Sequence, residues 1–194
     1  MKRIPGVVVG IVKSLTDDGG QGRLQLEFPH LPGGPKSGMA PVAAALAGKN
    51  RGAFLMPEKD DEVLVAFEQG DINHPYIVGF LWNGVDTPPE TDPKNRVLLT
   101  PGGHTLRFQD GDDNKKVILM SSSGHKITLD DTQSGQTMTL QTNGNQTVTM
   151  DDNKKSITIK GGGQTVTLDD NQKSITLSGG GRQITMSNGM VQIS

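Results

Sequence analysis

Residues 146–163 read QTVTMDDNKKSITIKGGG, and residues 164–181 read QTVTLDDNQKSITLSGGG, with 14 of 18 positions identical. Each copy holds two short runs in which apolar residues alternate with Thr. Each run closes on Asp, Asn or Gly. Such alternation places residues i and i+2 on one face of a strand. A unit that recurs in this way points to stacked β structure.

The pattern extends in both directions. Apolar pairs fall at Leu106/Phe108, Val117/Leu119, Ile127/Leu129, Met138/Leu140, Val148/Met150, Ile157/Ile159, Val166/Leu168, Ile175/Leu177, Ile184/Met186 and Val191/Ile193. Their spacings begin at 11 and 10 residues, settle at 9 and end at 7. The residue between the members of a pair is mostly Thr. Each strand therefore points two apolar groups one way and Thr the other. Two such groups per strand make no core within a single copy. Three copies wrapped about a common axis bring them into one shared prism, with backbone hydrogen bonds running between chains and no open strand edge. An obligate homotrimer is expected, its core built from Leu106, Phe108, Ile127, Leu129, Met138, Leu140, Val148, Met150, Ile157, Ile159, Val166, Leu168, Ile175, Leu177, Ile184 and Met186. Some ten layers spaced by about 4.8 Å give a prism roughly 50 Å long.

Upstream, short strands are expected at 4–13 (IPGVVVGIVK), 23–28 (RLQLEF), 39–43, 62–68 (EVLVAFE) and 76–82 (YIVGFLW), with Leu24, Leu26 and Phe28 on one face. Residues 29–38 (PHLPGGPKSG) read as a loop, and AAALA at 43–47 is long enough for one helical turn only. About five short strands without a helix suit a small barrel. The Pro-rich, apolar-poor stretch NGVDTPPETDPKNR at 83–96 separates the halves. The expected division is residues 1–85 as one domain, 86–100 as linker and 101–194 as the repeat domain.

Composition narrows the function classes. Apolar residues are 32% and aromatics 4% of the chain, too few for an ordinary single core, so burial between chains is the natural answer. A net charge of −2 with interspersed signs gives no footprint for nucleic acid or a membrane surface. There is no Cys, which excludes disulfides and thiolate metal sites. The opening MKRIPGVVVGIVKS is broken by Pro5, Gly6 and Lys13, so it reads as a strand and not as a signal peptide.

Residues 55–71 (LMPEKDDEVLVAFEQGD) followed by 74–84 (HPYIVGFLWNG) resemble the corresponding segment of baseplate assembly protein V and of the spike proteins of contractile-tail phages, and the equivalent part of VgrG in type VI secretion. GRLQLEFP at 22–29 and MAPVAAALAGKNRG at 39–52 sit where that family has its second and third strands. LLTPGGHTLRF at 99–108 with KITLDD at 126–131 resembles its transition into a three-chain β-helix. The resemblance implies an all-β fold: an N-terminal OB-fold barrel followed by a C-terminal intertwined triple-stranded β-helix, as a homotrimer. It implies docking of residues 1–85 on a trimeric hub protein of the baseplate, a PAAR-type tip protein at the far end, possible cargo effectors, and contact with a target cell envelope only on puncture. The 194 residues carry no hub domain ahead of the OB-like part, no inserted lysozyme module and no effector domain after the repeats, so a separate hub is expected. Synthesis in the bacterial cytoplasm and assembly into a contractile tail-like particle follow from the same likeness, whether that particle is a phage virion, a secretion apparatus or an extracellular particle. Met190, Val191 and Ile193 would form a blunt apolar platform for the tip protein.

No enzyme, cofactor or metal is expected. DGDDNKK at 110–116 starts like a calcium loop, but the sixth and twelfth positions are Lys115 and Ser121 where Gly and Glu are required. The GGG runs lack the Asp of calcium-binding nonapeptides, since Val166 stands in its place. GGGQTVT lacks the Lys of a phosphate loop. Asp151/Asp152 and Asp169/Asp170 recur at strand ends, as turn chemistry does. His30 and His74 sit in Pro-bearing loops, and His104 and His125 read as polar strand-edge residues. A β-helical adhesin or carbohydrate-binding stalk is the alternative from another class, and an enzyme acting on cell wall would need a carboxylate pair set in a groove.

Overall fold

A computed structural model describes residues 3–194. It divides into two compact units, one up to Thr87 and one from Pro88.

The first unit contains β1 (Val7–Ser14), β2 (Leu24–Glu27), β3 (Lys36–Ala40), β4 (Ala47–Gly48), β5 (Arg51–Gly52), β6 (Glu62–Phe67) and β7 (Pro75–Phe80). Five of these form an antiparallel sheet in the order β3-β2-β1-β6-β7. Just after β3, the N–H of Ala43 donates to the Ile77 carbonyl at 2.8 Å, and the N–H of Ile77 donates to that of Pro41 at 2.9 Å. These bonds tie the third strand to the last and close the sheet into a barrel. β6 alternates strictly, with Val63, Val65 and Phe67 inward. They meet Val12, Leu24, Leu26, Phe28, Ala40 and Ile77 in one buried cluster. Phe28 and Phe67 pack edge to face, their centroids 5.3 Å apart. Gly10 makes room for this: a Cβ there would lie 3.2 Å from both Phe28 Cε1 and Val65 Cγ2.

Two sequence expectations shift here. β3 begins at Lys36, inside the stretch read as loop, because Ser37 is buried and its Oγ accepts the N–H of Leu26 at 2.9 Å. Residues 43–47 form no helical turn. Leu46 accepts the N–H of Ala53 at 2.8 Å, which closes the small β4–β5 hairpin instead.

The second unit is one antiparallel sheet of 11 strands, each paired with the next in sequence. They are β8 (Asn95–Leu99), β9 (Thr105–Gly111), β10 (Asn114–Met120), β11 (Lys126–Asp130), β12 (Thr137–Gln141), β13 (Thr147–Asp151), β14 (Ser156–Gly161), β15 (Gln164–Asp169), β16 (Ser174–Gly179), β17 (Arg182–Ser187) and β18 (Met190–Ile193). The stretch 86–100 thus holds the sheet's first strand. Within it, the Glu90 carboxylate accepts the N–H groups of Thr91 and Asp92 at 2.9 and 3.0 Å and the Asn95 side chain at 3.0 Å, and it pairs with Arg107.

Turn chemistry explains the pairing. Gly180 and Gly181 have φ of +60° and +75°, and Asn188 and Gly189 have +51° and +74°. Positive φ at both central residues makes two-residue turns whose twist suits a hairpin. The longer loops at the opposite ends of the strands are held by Asp: Asp151 Oδ1 accepts the Lys154 N–H at 2.8 Å, and Asp169 Oδ1 accepts that of Gln172 at 2.9 Å. Because every connection is six residues or fewer and reverses the chain, consecutive strands bond to each other. The hydrogen-bond ladder expected between chains therefore runs inside one chain.

Candidate functional site

The register of the second sheet aligns the apolar pairs in two columns. One runs Leu98, Leu106, Leu119, Ile127, Leu140, Val148, Ile159, Val166, Leu177, Ile184, Ile193; the other runs from Phe108 through Val117, Leu129, Met138, Met150, Ile157, Leu168, Ile175 and Met186 to Val191. Between them on the opposite face stand Thr128, Thr139, Thr149, Thr158, Thr167, Thr176 and Thr185, each opposite the next. Every apolar residue expected in the trimer core therefore lies on one continuous face.

That face is uncovered. From Leu98 to Met186 its exposed members each leave between 37% and 51% of their surface in solvent. Among the described residues from 88 onward, no apolar side chain is buried, and the only buried residue is Thr105. Among the described residues, the nine buried hydrophobic side chains all belong to the barrel. A contiguous apolar surface of this extent marks an interaction site.

Three turns along one side of the sheet share a design. Thr100, Ser121 and Thr142 each accept, through the side-chain hydroxyl, the N–H of the residue four positions on, at 3.1 Å. Those residues are His104, His125 and Gln146. The N–H of Ser122 then donates to His104 Nδ1, and that of Asn143 to His125 Nδ1, both at 3.3 Å. An accepting Nδ1 leaves the ring proton on Nε2. Each imidazole thus braces the next turn of the stack.

Carboxylates on the other face are structural. The Thr132 hydroxyl and, next, the Lys116 ammonium at 2.9 Å hold the Asp130 carboxyl down to about 2. Backbone amides of Asp92 and Thr91, with Arg107, do the same for Glu90, also to about 2. In the barrel, Asp17 falls well below the ordinary carboxylate range, first through the Arg23 side chain and then through backbone N–H groups. None of these acids is left poised for proton transfer. Among the described residues no three His, Cys, Asp or Glu gather as a metal site, and no helix is long and apolar enough to cross a membrane.

The barrel's strand order is that of an OB fold, and comparison with known families agrees. A family model described as the type VI secretion system/phage-baseplate injector OB domain matches residues 8–82. The first unit is similar to that OB domain along most of its length. Three spike proteins of the type VI secretion system of Pseudomonas aeruginosa are similar to the chain. VgrG1a is 41% identical over 54 residues, 28% of this chain and 8% of the relative. VgrG1c and VgrG1b match with the same identity over 54 residues, 7% of each relative. The matches thus span a small part of those proteins.

The barrel carries its own exposed apolar group, with Phe54, Leu55, Phe80 and Trp82 all on the surface. Leu55, Phe80 and Trp82 line one cleft with Pro57 and Glu62. Of the residues expected to receive a tip protein, Val191 and Ile193 extend the two apolar columns, opposite Met186 and Ile184. Met190 does not join them: it pairs with Ser187 and belongs to the other face. The bracing role of His104 and His125 escaped the sequence reading. The spacing of a hydroxyl residue four positions before His or Gln, repeated in TPGGH, SSSGH and TNGNQ, was its available signal.

Proposed function

We propose that the chain is the structural, non-enzymatic spike of a contractile injection machine and works as a homotrimer. The observation that carries this reading is the second unit's lack of any buried apolar residue, beside a full-length apolar face. Three such faces turned toward one axis form a triangular prism of the triple-stranded β-helix type, with the Thr columns outside. Burial of Val, Leu, Ile and Met side chains stabilises by about 1.5–3 kcal/mol each, so two columns per chain supply what a single sheet lacks. A prism without side openings and with hydrogen bonds along its length suits a part driven through an envelope by sheath contraction. The injector OB domain docks on a trimeric baseplate hub, and its exposed Phe54, Leu55, Phe80 and Trp82 are suited to such a contact. Val191 and Ile193 offer the opposite end to a PAAR-type tip protein.

The test is reconstitution with a baseplate hub protein from the same source. Co-elution of a complex containing equal numbers of both chains is expected, and Trp82→Asp with Phe54→Asp should abolish it. Two separate peaks from the unaltered proteins at micromolar concentration would contradict the docking.

A further inference from the structure

The apolar face has two chemically different flanks. A groove floored by Leu119, Ile127, Leu140 and Val148 is rimmed by His104, His125 and Gln146. A second groove, floored by Met150, Ile157, Leu168 and Ile175, is rimmed by Asp152, Lys155, Asp170 and Lys173.

The first flank is low. Gln146 and Gln164 lie across Gly161 and Gly179, where an added Cβ would be 4.0 Å and 3.0 Å from the glutamine Cγ atoms. Gly179 pairs with Arg182, which continues this flank. The flank is rich in donors: amide NH2 groups, a guanidinium, and the Nε2–H that each histidine retains when its Nδ1 accepts a backbone bond. The second flank alternates acid and base, with Lys173 Nζ 2.5 Å from Asp170 Oδ1. Charges carried into an apolar contact without partners cost several kcal/mol each. The donor-rich flank on the same face supplies such partners, through its amide groups and the Arg182 guanidinium.

We infer that the two flanks bind each other across copies: the Gln146/Gln164/Arg182 flank of one chain seats against the Asp152/Asp170 flank of the next, and the ring closes at three. Copies related by rotation about the strand-stacking direction all point the same way, so the contact is head to tail and each flank meets its opposite. Amide and guanidinium N–H groups donate to the carboxylates of the neighbour, while glutamine oxygens accept from Lys155 and Lys173. The pairing presupposes the trimer proposed above and adds which sides of the sheets meet.

Cysteine trapping tests it in the full chain, which has no Cys of its own. Gln146 and Asp152 flank the same strand, so they are roughly 20 Å apart within one chain and cannot bond there. Gln146→Cys is combined in turn with Asp131→Cys, Asp152→Cys or Asp170→Cys, which covers stagger between neighbours. The set is repeated with Gln164→Cys in case the first position disturbs folding, with the β circular-dichroism signal as control. At least one combination should oxidise to a covalent product that stops at three chains, and each single variant should stay uncrosslinked. Covalent dimers from Gln146→Cys alone would show like flanks meeting and overturn the pairing. Trimeric mass with no crosslink from any combination would overturn the pairing and leave the trimer standing. Monomeric mass would overturn both.

Discussion

Ile157 and Thr158 are neighbours in β14 that point to opposite faces, and replacing each by Ala separates the faces energetically. Ile157 is 37% exposed in the single chain. Ile→Ala removes three carbons worth about 0.8 kcal/mol each when buried, about 2.4 kcal/mol in all, of which roughly 1.5 is already realised against the chain's own sheet. If the face stays open, that smaller value is the ceiling. If three copies close over it, the loss becomes about 2–5 kcal/mol per chain because a cavity forms as well. The three sites lie at one level of the prism, so the assembly loses on the order of 6–15 kcal/mol. Thr158→Ala on the outer face should stay within about 0.5 kcal/mol. Guanidinium unfolding followed by circular dichroism at several protein concentrations reads both. Ile157→Ala should lower the midpoint sharply, and all midpoints should rise with concentration, as for any linked assembly. Equal small shifts for both variants, at midpoints independent of concentration, would refute the closed face.

Other consequences are local. Gly162 has φ +60° while its neighbour Gly163 does not; an added Cβ at Gly162 would meet only Gln164 Oε1, at an ordinary 3.5 Å, and one at Gly163 would meet nothing. Gly162→Ala should therefore cost about 1–2 kcal/mol and Gly163→Ala close to nothing, read by thermal unfolding. Gly10→Val should clash with Phe28 and Val65 and destabilise the barrel by about 1–3 kcal/mol, lowering a near-ultraviolet aromatic transition while leaving the β-repeat signal in place. Glu90 titrates at about 2, below its ordinary value of 4.5. Its contribution is thus fully present above the ordinary value and is lost as pH falls toward about 2. Cleavage of the stretch around Glu90 by an acid-active protease such as pepsin should accelerate across that window in the unaltered chain, and trypsin should cut Glu90→Gln quickly after Lys94 at neutral pH.

The sequence was most legible where one physical rule acts alone. The period-2 alternation of Ile157/Ile159 or Val166/Leu168 fixes a face whatever the register, and tight Gly-rich turns then align one pair with the next. Leu24, Leu26 and Phe28 became barrel core for the same reason. What stayed hidden depends on contacts between distant residues. Lys36–Ser37 looked like loop beside Pro35 because only the bond from Leu26 makes it strand. The short β8 was masked by the Pro-rich stretch before it. Local pattern also could not show whether consecutive strands pair with each other or with other chains. The turns decide that, through the φ values of Gly180, Gly181 and Asn188. Met190 was grouped with Val191 and Ile193 by hydrophobicity, yet an odd step along a strand always changes face.

The proposed closing of the apolar face by two further copies is tested most directly by the mass of the unmodified chain in solution. Light scattering coupled to gel filtration should give a single species at three times the 20.6 kDa chain mass, unchanged on dilution. A stable 20.6 kDa particle that keeps the full β signal of its repeats would contradict the account.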